Sequence, residues 1–127
     1  PYSPIARGVL AGKYTPGSAP VEGSRAARGD TRMMQTEFRD ESLLIAQTLK
    51  LHCERKGVAL SHFATAWVLA NQAVSSVIAG PRTLAQWQDY LGALDCTIDA
   101  DDETLVDSLV KPGHPSTPGY NDPAYPL

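Results

Sequence analysis

The stretch Ser75-Ser76-Val77-Ile78-Ala79-Gly80-Pro81-Arg82-Thr83-Leu84-Ala85-Gln86 decides the expected fold. Ser75 to Ala79 is a short β-prone run that Gly80-Pro81 ends. Thr83 then opens a helix whose Leu84, Trp87, Leu91 and Leu94 recur at +3, +4, +3, one clean apolar stripe. Thr83 and Gln86 fit a T-x-x-Q capping box, in which each side chain satisfies the other's backbone amide. The same strand-to-helix turn, with Arg82 just outside the helix, also suits an anion. Spacing alone leaves both readings open.

Upstream, Pro1-Tyr2-Ser3-Pro4-Ile5-Ala6-Arg7-Gly8 reads as the end of an extended segment, with Pro4 steering Ser3 away from the helical region. Residues 8–39 hold five of the ten glycines and read as one long loop, a length that is often functional. Helical spacing begins near Asp40, with Ile45, Leu49 and Cys53 on one side and Gly57 as the stop. Asp40 is the expected cap. Ser61 is the expected cap of a second helix over 62–71, apolar on most sides and therefore buried. Trp67 and Trp87 read as core anchors. Asp99 starts a last short helix, where Asp101, Asp102 and Glu103 suit the positive end of the helix dipole. Residues 112–127 carry five of the ten prolines and read as an ordered wrap or a flap.

The order is strand-end, loop, helix, helix, strand, helix, helix, tail. Alternating strands and helices imply an α/β fold with a parallel sheet. One strand-end and one strand cannot make that sheet, so the fold reads as incomplete within its 127 residues, which begin with Pro1 rather than Met.

Composition narrows the function classes. Hydrophobic residues make up 43% and charged residues 20%, close to soluble globular usage. No run approaches the ~20 apolar residues needed to cross a bilayer, and no secretory leader is visible, so a cytoplasmic protein without membrane contact is expected. The net charge is −3. It is uneven: residues 1–39 carry +3 (Arg7, Lys13, Arg25, Arg28, Arg32 and Arg39 against Glu22, Asp30 and Glu37), leaving −6 for the remainder. A basic third suits a phosphate-bearing ligand, or is simply a solvated loop. It lacks the motifs and interleaved aromatics of a nucleic-acid binder. Cys53 and Cys96 make no metal spacing with His52, His62 or His114, so two reduced thiols are expected.

No catalytic set is legible. Gly8 to Tyr14 approaches a P-loop, but its glycine spacing is one residue short and Tyr14 stands where a magnesium-holding hydroxyl belongs. Glycines beside a lysine remain, a combination that lets backbone N–H groups approach an anion.

Two motifs in this order, Tyr2-Ser3-Pro4-Ile5-Ala6-Arg7-Gly8-Val9-Leu10-Ala11-Gly12-Lys13-Tyr14 and Ser76 through Gln86, resemble the aldo-keto reductase superfamily, most nearly its bacterial, potassium-channel-β-like branch. The intervening Leu60 to Asn71 resembles the helix before that family's last barrel strand. The resemblance implies the C-terminal portion of a (β/α)8 TIM barrel, incomplete in this chain, since a whole barrel takes about 250 residues. It implies one domain over 1–127, with 8–39 as a cofactor-covering loop and 112–127 as a proline-rich tail.

It further implies NADP(H) as cofactor and a small carbonyl compound as substrate. Tyr2 would stack on the nicotinamide, and Ser3, Pro4, Ile5, Ala6, Arg7 and Gly8 would follow the pyrophosphate. Lys13 and Arg25 would belt the cofactor. Gly80 and Arg82 would meet the 2′-phosphate, and Gln86, Asp89 and Tyr90 would border the adenine. Asp89-Tyr90 departs from the Glu-Asn pair common in related sequences. The family's Asp-Tyr-Lys-His tetrad matches no position here, so the resemblance implies a partner: the missing N-terminal half of the barrel. A truncated, non-catalytic nucleotide-binding or regulatory module is the alternative.

Overall fold

The computed structural model describes residues 1–126. Among them are five α-helices: α1 (Thr31–Thr36), α2 (Asp40–Lys56), α3 (Leu60–Ala70), α4 (Leu84–Leu91) and α5 (Ala100–Leu109). Tighter 3₁₀ stretches occupy Ala6–Ala11 and Gly92–Asp95.

This corrects the α/β expectation, and with it the barrel portion. No sheet forms among the described residues. Tyr2 and Ile78 meet in one isolated parallel bridge, with the Ile78 N–H on the Pro1 carbonyl at 2.9 Å. Both β-prone runs are cut short. Ser3 turns left-handed at φ +56° immediately after Tyr2, and Gly80-Pro81 stops the other. A single rung leaves the helices no sheet to lie on, so they pack on one another.

In α2 the buried stripe is Leu43, Ala46, Leu49 and Cys53. Ile45 is only half-buried, and Leu44 and Leu51 are exposed. Asp40 is the first helical residue rather than the cap, a place taken by Arg39 without a side-chain bond. Gly57, at φ +74°, ends the helix with its N–H on the carbonyls of Cys53 and Glu54. Likewise α3 begins at Leu60 after Ala59, one residue before the expected cap Ser61. It buries one face, including Leu60, Phe63 and Ala64, and leaves Trp67 40% exposed.

On α4 no residue is buried. The expected core stripe faces outward, with Leu84 at 71%, Trp87 at 49% and Leu94 at 73% exposure. Neither tryptophan anchors the core, because the layer the stripe would rest on is absent. The cap is as expected on one side only: Thr83 Oγ1 accepts from the Gln86 N–H at 3.2 Å, while Gln86 Oε1 takes the N–H of Arg82, not of Thr83, at 2.7 Å.

The helix α1 lies inside the stretch read as loop. Asp30 Oδ1 caps it by accepting from the Met33 N–H at 2.9 Å, and Met33 is fully buried. Met33 joins Val9, Tyr14, Ala26, Leu43 and Ala46 in one apolar cluster. A second comprises Leu49, Cys53, Leu60 and Phe63, with Leu105, Val106 and Leu109 of α5 against it.

Helices α2 and α5 are latched through Asp102, whose side chain is 1% exposed. Its carboxylate takes His52 Nε2 at 2.6 Å, Lys56 Nζ, and the Asp99 N–H at 2.9 Å. Asp99 returns the last bond by accepting from the Asp102 amide, completing a capping box. Burial pushes the Asp102 pKa up, but Lys56, the Asp99 amide and His52 outweigh it and hold the value at about 2.

The tail is an ordered strap. Arg32 forks onto Asp122 at 2.9 and 2.7 Å. Arg39 donates to Thr117 Oγ1 at 2.7 Å and Ser116 Oγ at 3.0 Å, with its guanidinium 3.8 Å from the Tyr120 ring centre. Two cations of the basic third are thus engaged by the tail. Leu127 lies outside the described residues. Among those residues no helix is long and apolar enough to cross a membrane.

Candidate functional site

A cavity of about 460 Å³ opens where the first motif, the α4 turn and the loop around residue 25 converge. Its first wall is the segment entering the chain. There Ser3, Ala6 and Arg7 hold φ values of +56°, +46° and +52°, each in the left-handed region. For non-glycine residues this costs roughly 1–2 kcal/mol each. The conformation persists because the segment is pinned: the Ala6 N–H bonds the Ser3 carbonyl at 2.9 Å and the Gly8 N–H the Ile5 carbonyl at 2.8 Å. Pro4, Gly8 and Val9 are buried beneath it. Gly8 at φ +103° occupies backbone space open essentially to glycine.

Of the fourteen residues expected at the site, all but Pro4 and Ala6 line this cavity. Tyr2, Ser3, Ile5, Arg7 and Gly8 come from the entering segment, with Lys13 and Arg25 from the loop. Gly80 and Arg82 come from the turn, and Gln86, Asp89 and Tyr90 from α4. Pro4 and Ala6 face a second cavity behind the same segment.

Four cations reach the cavity, but two are committed elsewhere. Arg7 pairs with Glu37 at 3.2 Å. Arg25 pairs with Asp30 at 3.2 Å, a carboxyl held below its usual range first by the Met33 amide and then by Arg25. Lys13 and Arg82 have no ion-pair partner among the described residues; Lys13 lies 5.3 Å from the Tyr14 ring centre. Asp89 is the opposing charge, held by His62 Nε2 at 3.0 Å and reached by Ser61 Oγ at 3.5 Å. His62 in turn sits against Gly92, where a Cβ would collide with the ring. Burial, and then Asp89, raises the Tyr90 phenol pKa.

Sequence reasoning missed Ala11, Ser61, Ile78 and Pro81, which also line the cavity. Ser61 lies in the first turn of α3 rather than capping it, with its hydroxyl toward Asp89 of α4. Ile78 follows from its bridge to Tyr2. No group of three His, Cys, Asp or Glu among the described residues is arranged to hold a metal. Cys53 and Cys96 are free thiols, and burial pushes Cys53 up to about 11.

A small polar cavity with two uncommitted cations and an outward-facing aromatic ring suits a phosphorylated, ring-bearing molecule. The aldo/keto reductase family model matches residues 1–111, and the chain belongs to that family. It is 35% identical over 94 residues to a probable voltage-gated potassium channel subunit beta of Arabidopsis thaliana, covering 74% of this chain and 29% of that protein. The identity and both coverages are the same for a protein of that description from Oryza sativa subsp. japonica. An uncharacterized oxidoreductase, YrpG, of Bacillus subtilis (strain 168) is 28% identical over 120 residues, 94% of this chain and 34% of that protein. The chain thus spans about a third of the length of these curated relatives.

Proposed function

We propose that the polar cavity holds NADP(H), and that the chain is the cofactor-binding part of an oxidoreductase that reduces aldehydes or ketones by hydride transfer. One observation carries this reading. Lys13 and Arg82, far apart in sequence, line one cavity with their charges uncommitted. The residues present fit the cofactor. Arg82 offers a planar fork suited to the 2′-phosphate, and Lys13 a point charge for the pyrophosphate. Nothing lies within 4 Å of a Cβ placed on Gly80, so a phosphate can come close to that backbone. The Tyr2 ring, 71% exposed, is free to stack on the nicotinamide. Asp89 would repel a phosphate but accepts well from an amino group, which suits the adenine end.

When bound, the cofactor supplies the hydride; the chain's own residues hold and orient it. The acid that protonates the carbonyl oxygen is not among them. Burial and then Asp89 raise the Tyr90 pKa, which makes its phenol a weaker proton donor, and Tyr2 belongs to the stacking surface. We therefore assign the acid to an N-terminal part of a longer polypeptide, and the chain alone binds without turnover. That lack of an acid equally favours the second reading, a nucleotide-binding module with no catalysis. A cytoplasmic setting goes with either.

NADPH fluorescence titration tests the site. Arg82→Ala should weaken NADPH binding about tenfold or more, the weight of one charge-assisted bond, and leave NADH within about twofold. Equal loss for both cofactors overturns the 2′-phosphate assignment. Carbonyl reduction by a polypeptide that includes the N-terminal part separates the oxidoreductase from the module.

A further inference from the structure

Asp89 is the one carboxylate lining the polar cavity among the described residues, and its side chain is 58% exposed. The cations around it are Arg7, Lys13, Arg25 and Arg82, and none of them lies within ion-pair distance of Asp89. The charge is instead met from α3. His62 Nε2 lies 3.0 Å from Asp89 Oδ1, and Ser61 Oγ makes a longer approach of 3.5 Å to Oδ2. A carboxylate only accepts, so His62 Nε2 carries the hydrogen and donates.

An exposed aspartate is otherwise free to turn about two side-chain bonds. Here the donor is itself fixed. The His62 side chain is only 23% exposed. Its ring rests against Gly92, where any side chain would collide with it. The next residue, Phe63, is buried in the core and anchors that turn of α3. Packing therefore settles the imidazole, and the imidazole settles the carboxylate. By contrast α4, which carries Asp89, has no buried residue of its own.

The other polar side chains that α4 lends the cavity are less selective. Gln86 has its Oε1 on the Arg82 N–H at 2.7 Å. Tyr90 offers a hydroxyl, which can donate or accept. Asp89 presents lone pairs and no hydrogen. An amino group on an incoming ring satisfies it, whereas a ring carbonyl sets oxygen against oxygen. Hypoxanthine carries a carbonyl where adenine carries its amino group. An acceptor already held in place makes that distinction without first being ordered, and a mismatched partner leaves it unpaired.

We propose that His62 is the positioning residue that makes this cavity selective for a 6-aminopurine nucleotide, by holding the Asp89 carboxylate as a fixed acceptor for the amino group. The proposal rests on the NADP(H) reading of the cavity.

The test is fluorescence titration of the protein with NADPH and with its reduced hypoxanthine analogue, since the reduced nicotinamide gives the signal in both. NADPH should bind at least tenfold more tightly than the analogue. His62→Leu should weaken NADPH at least fivefold and leave the analogue within about twofold, and His62→Gln, which restores an N–H donor, should recover most of the preference. A merely structural role predicts something else: loosening α4 would also displace Arg82 and weaken both nucleotides together. Asp89→Asn keeps an oxygen for His62 but offers the base an amide N–H, so the preference should fall to within about twofold. Arg82→Ala should weaken both nucleotides and leave their ratio unchanged. No binding of NADPH by the folded wild-type protein overturns the nucleotide reading and this proposal with it. NADPH binding that depends on Arg82 but shows no preference over the analogue, a preference that survives His62→Leu, or a parallel loss of both nucleotides in that variant overturns this proposal alone.

Discussion

The two cavities, the polar one of about 460 Å³ and the largely apolar one behind it of about 450 Å³, share one wall, yet they are built by opposite means. Along the entering segment Tyr2, Ser3, Ile5, Arg7 and Gly8 face the polar cavity, and Pro4, Ala6, Val9 and Leu10 face the apolar one. The polar cavity is completed by loops, by Ser61 of α3 and by α4, none of whose residues is buried. The apolar cavity is completed by α2, α3 and α5, which carry the core and the Asp102 latch. One is shaped by local backbone strain, the other by packing, so they should fail independently.

The largest expected effect lies on the packed side. Asp102→Ala leaves the Asp99 amide and His52 without their acceptor and Lys56 with only Asp99 and the Thr97 carbonyl, and the loss of these bonds at the α2–α5 contact should cost about 3 kcal/mol in urea unfolding. In the protein that remains folded, NADPH affinity should stay within about twofold, and a parallel loss would break the independence. Acid provides the titrated version. The Asp102 pKa is lowered from 3.8 to about 2 in the folded state. Its contribution is therefore full above the unfolded value and is lost as pH falls through the folded one. About 2 kcal/mol should disappear between pH 4 and 2, and Asp102→Asn should flatten that part of the profile. A smaller effect is expected on the polar side. Gly92→Ala places a Cβ in collision with the His62 ring and drives it away from Asp89, at a cost of about 1 kcal/mol. The His62 imidazole resonances should shift while those of His52 stay in place. Smallest is Tyr120→Phe, which deletes the bond to the Gln35 carbonyl but keeps the ring on Arg39. A loss of about 0.5–1 kcal/mol is expected by thermal unfolding.

Local chemistry was legible in the sequence, and partnership was not. Gly57 as a stop, Thr83 as a cap and the Asp99 helix start are each written in one or two residues, and each forms. On α2 Leu49 and Cys53 are buried as expected with Ile45 half-buried beside them, while Leu43 and Ala46, which the spacing did not single out, complete the buried face against the other cluster. Short α1 escaped because one buried methionine is a weak periodic signal. The sheet failed for a longer-range reason: β-propensity in Ser75 to Ala79 needs neighbouring strands, and among the described residues only Tyr2 offers itself. The polar lining was largely legible because it is carried by two contiguous motifs. Neither the bond from His62 to Asp89 nor the apolar cavity could be read, since α3, α4, the 3₁₀ stretch and the tail meet only in three dimensions.

Ser3, Ala6 and Arg7 sit in backbone conformations that glycine adopts freely. A library of variants screened for heat tolerance alone would therefore drift toward glycine at these codons, relaxing the turn. The same drift would let the partition swing and blur the line between a charged chamber and an oily one. Thermal selection and ligand selection thus pull on the same three positions in opposite directions.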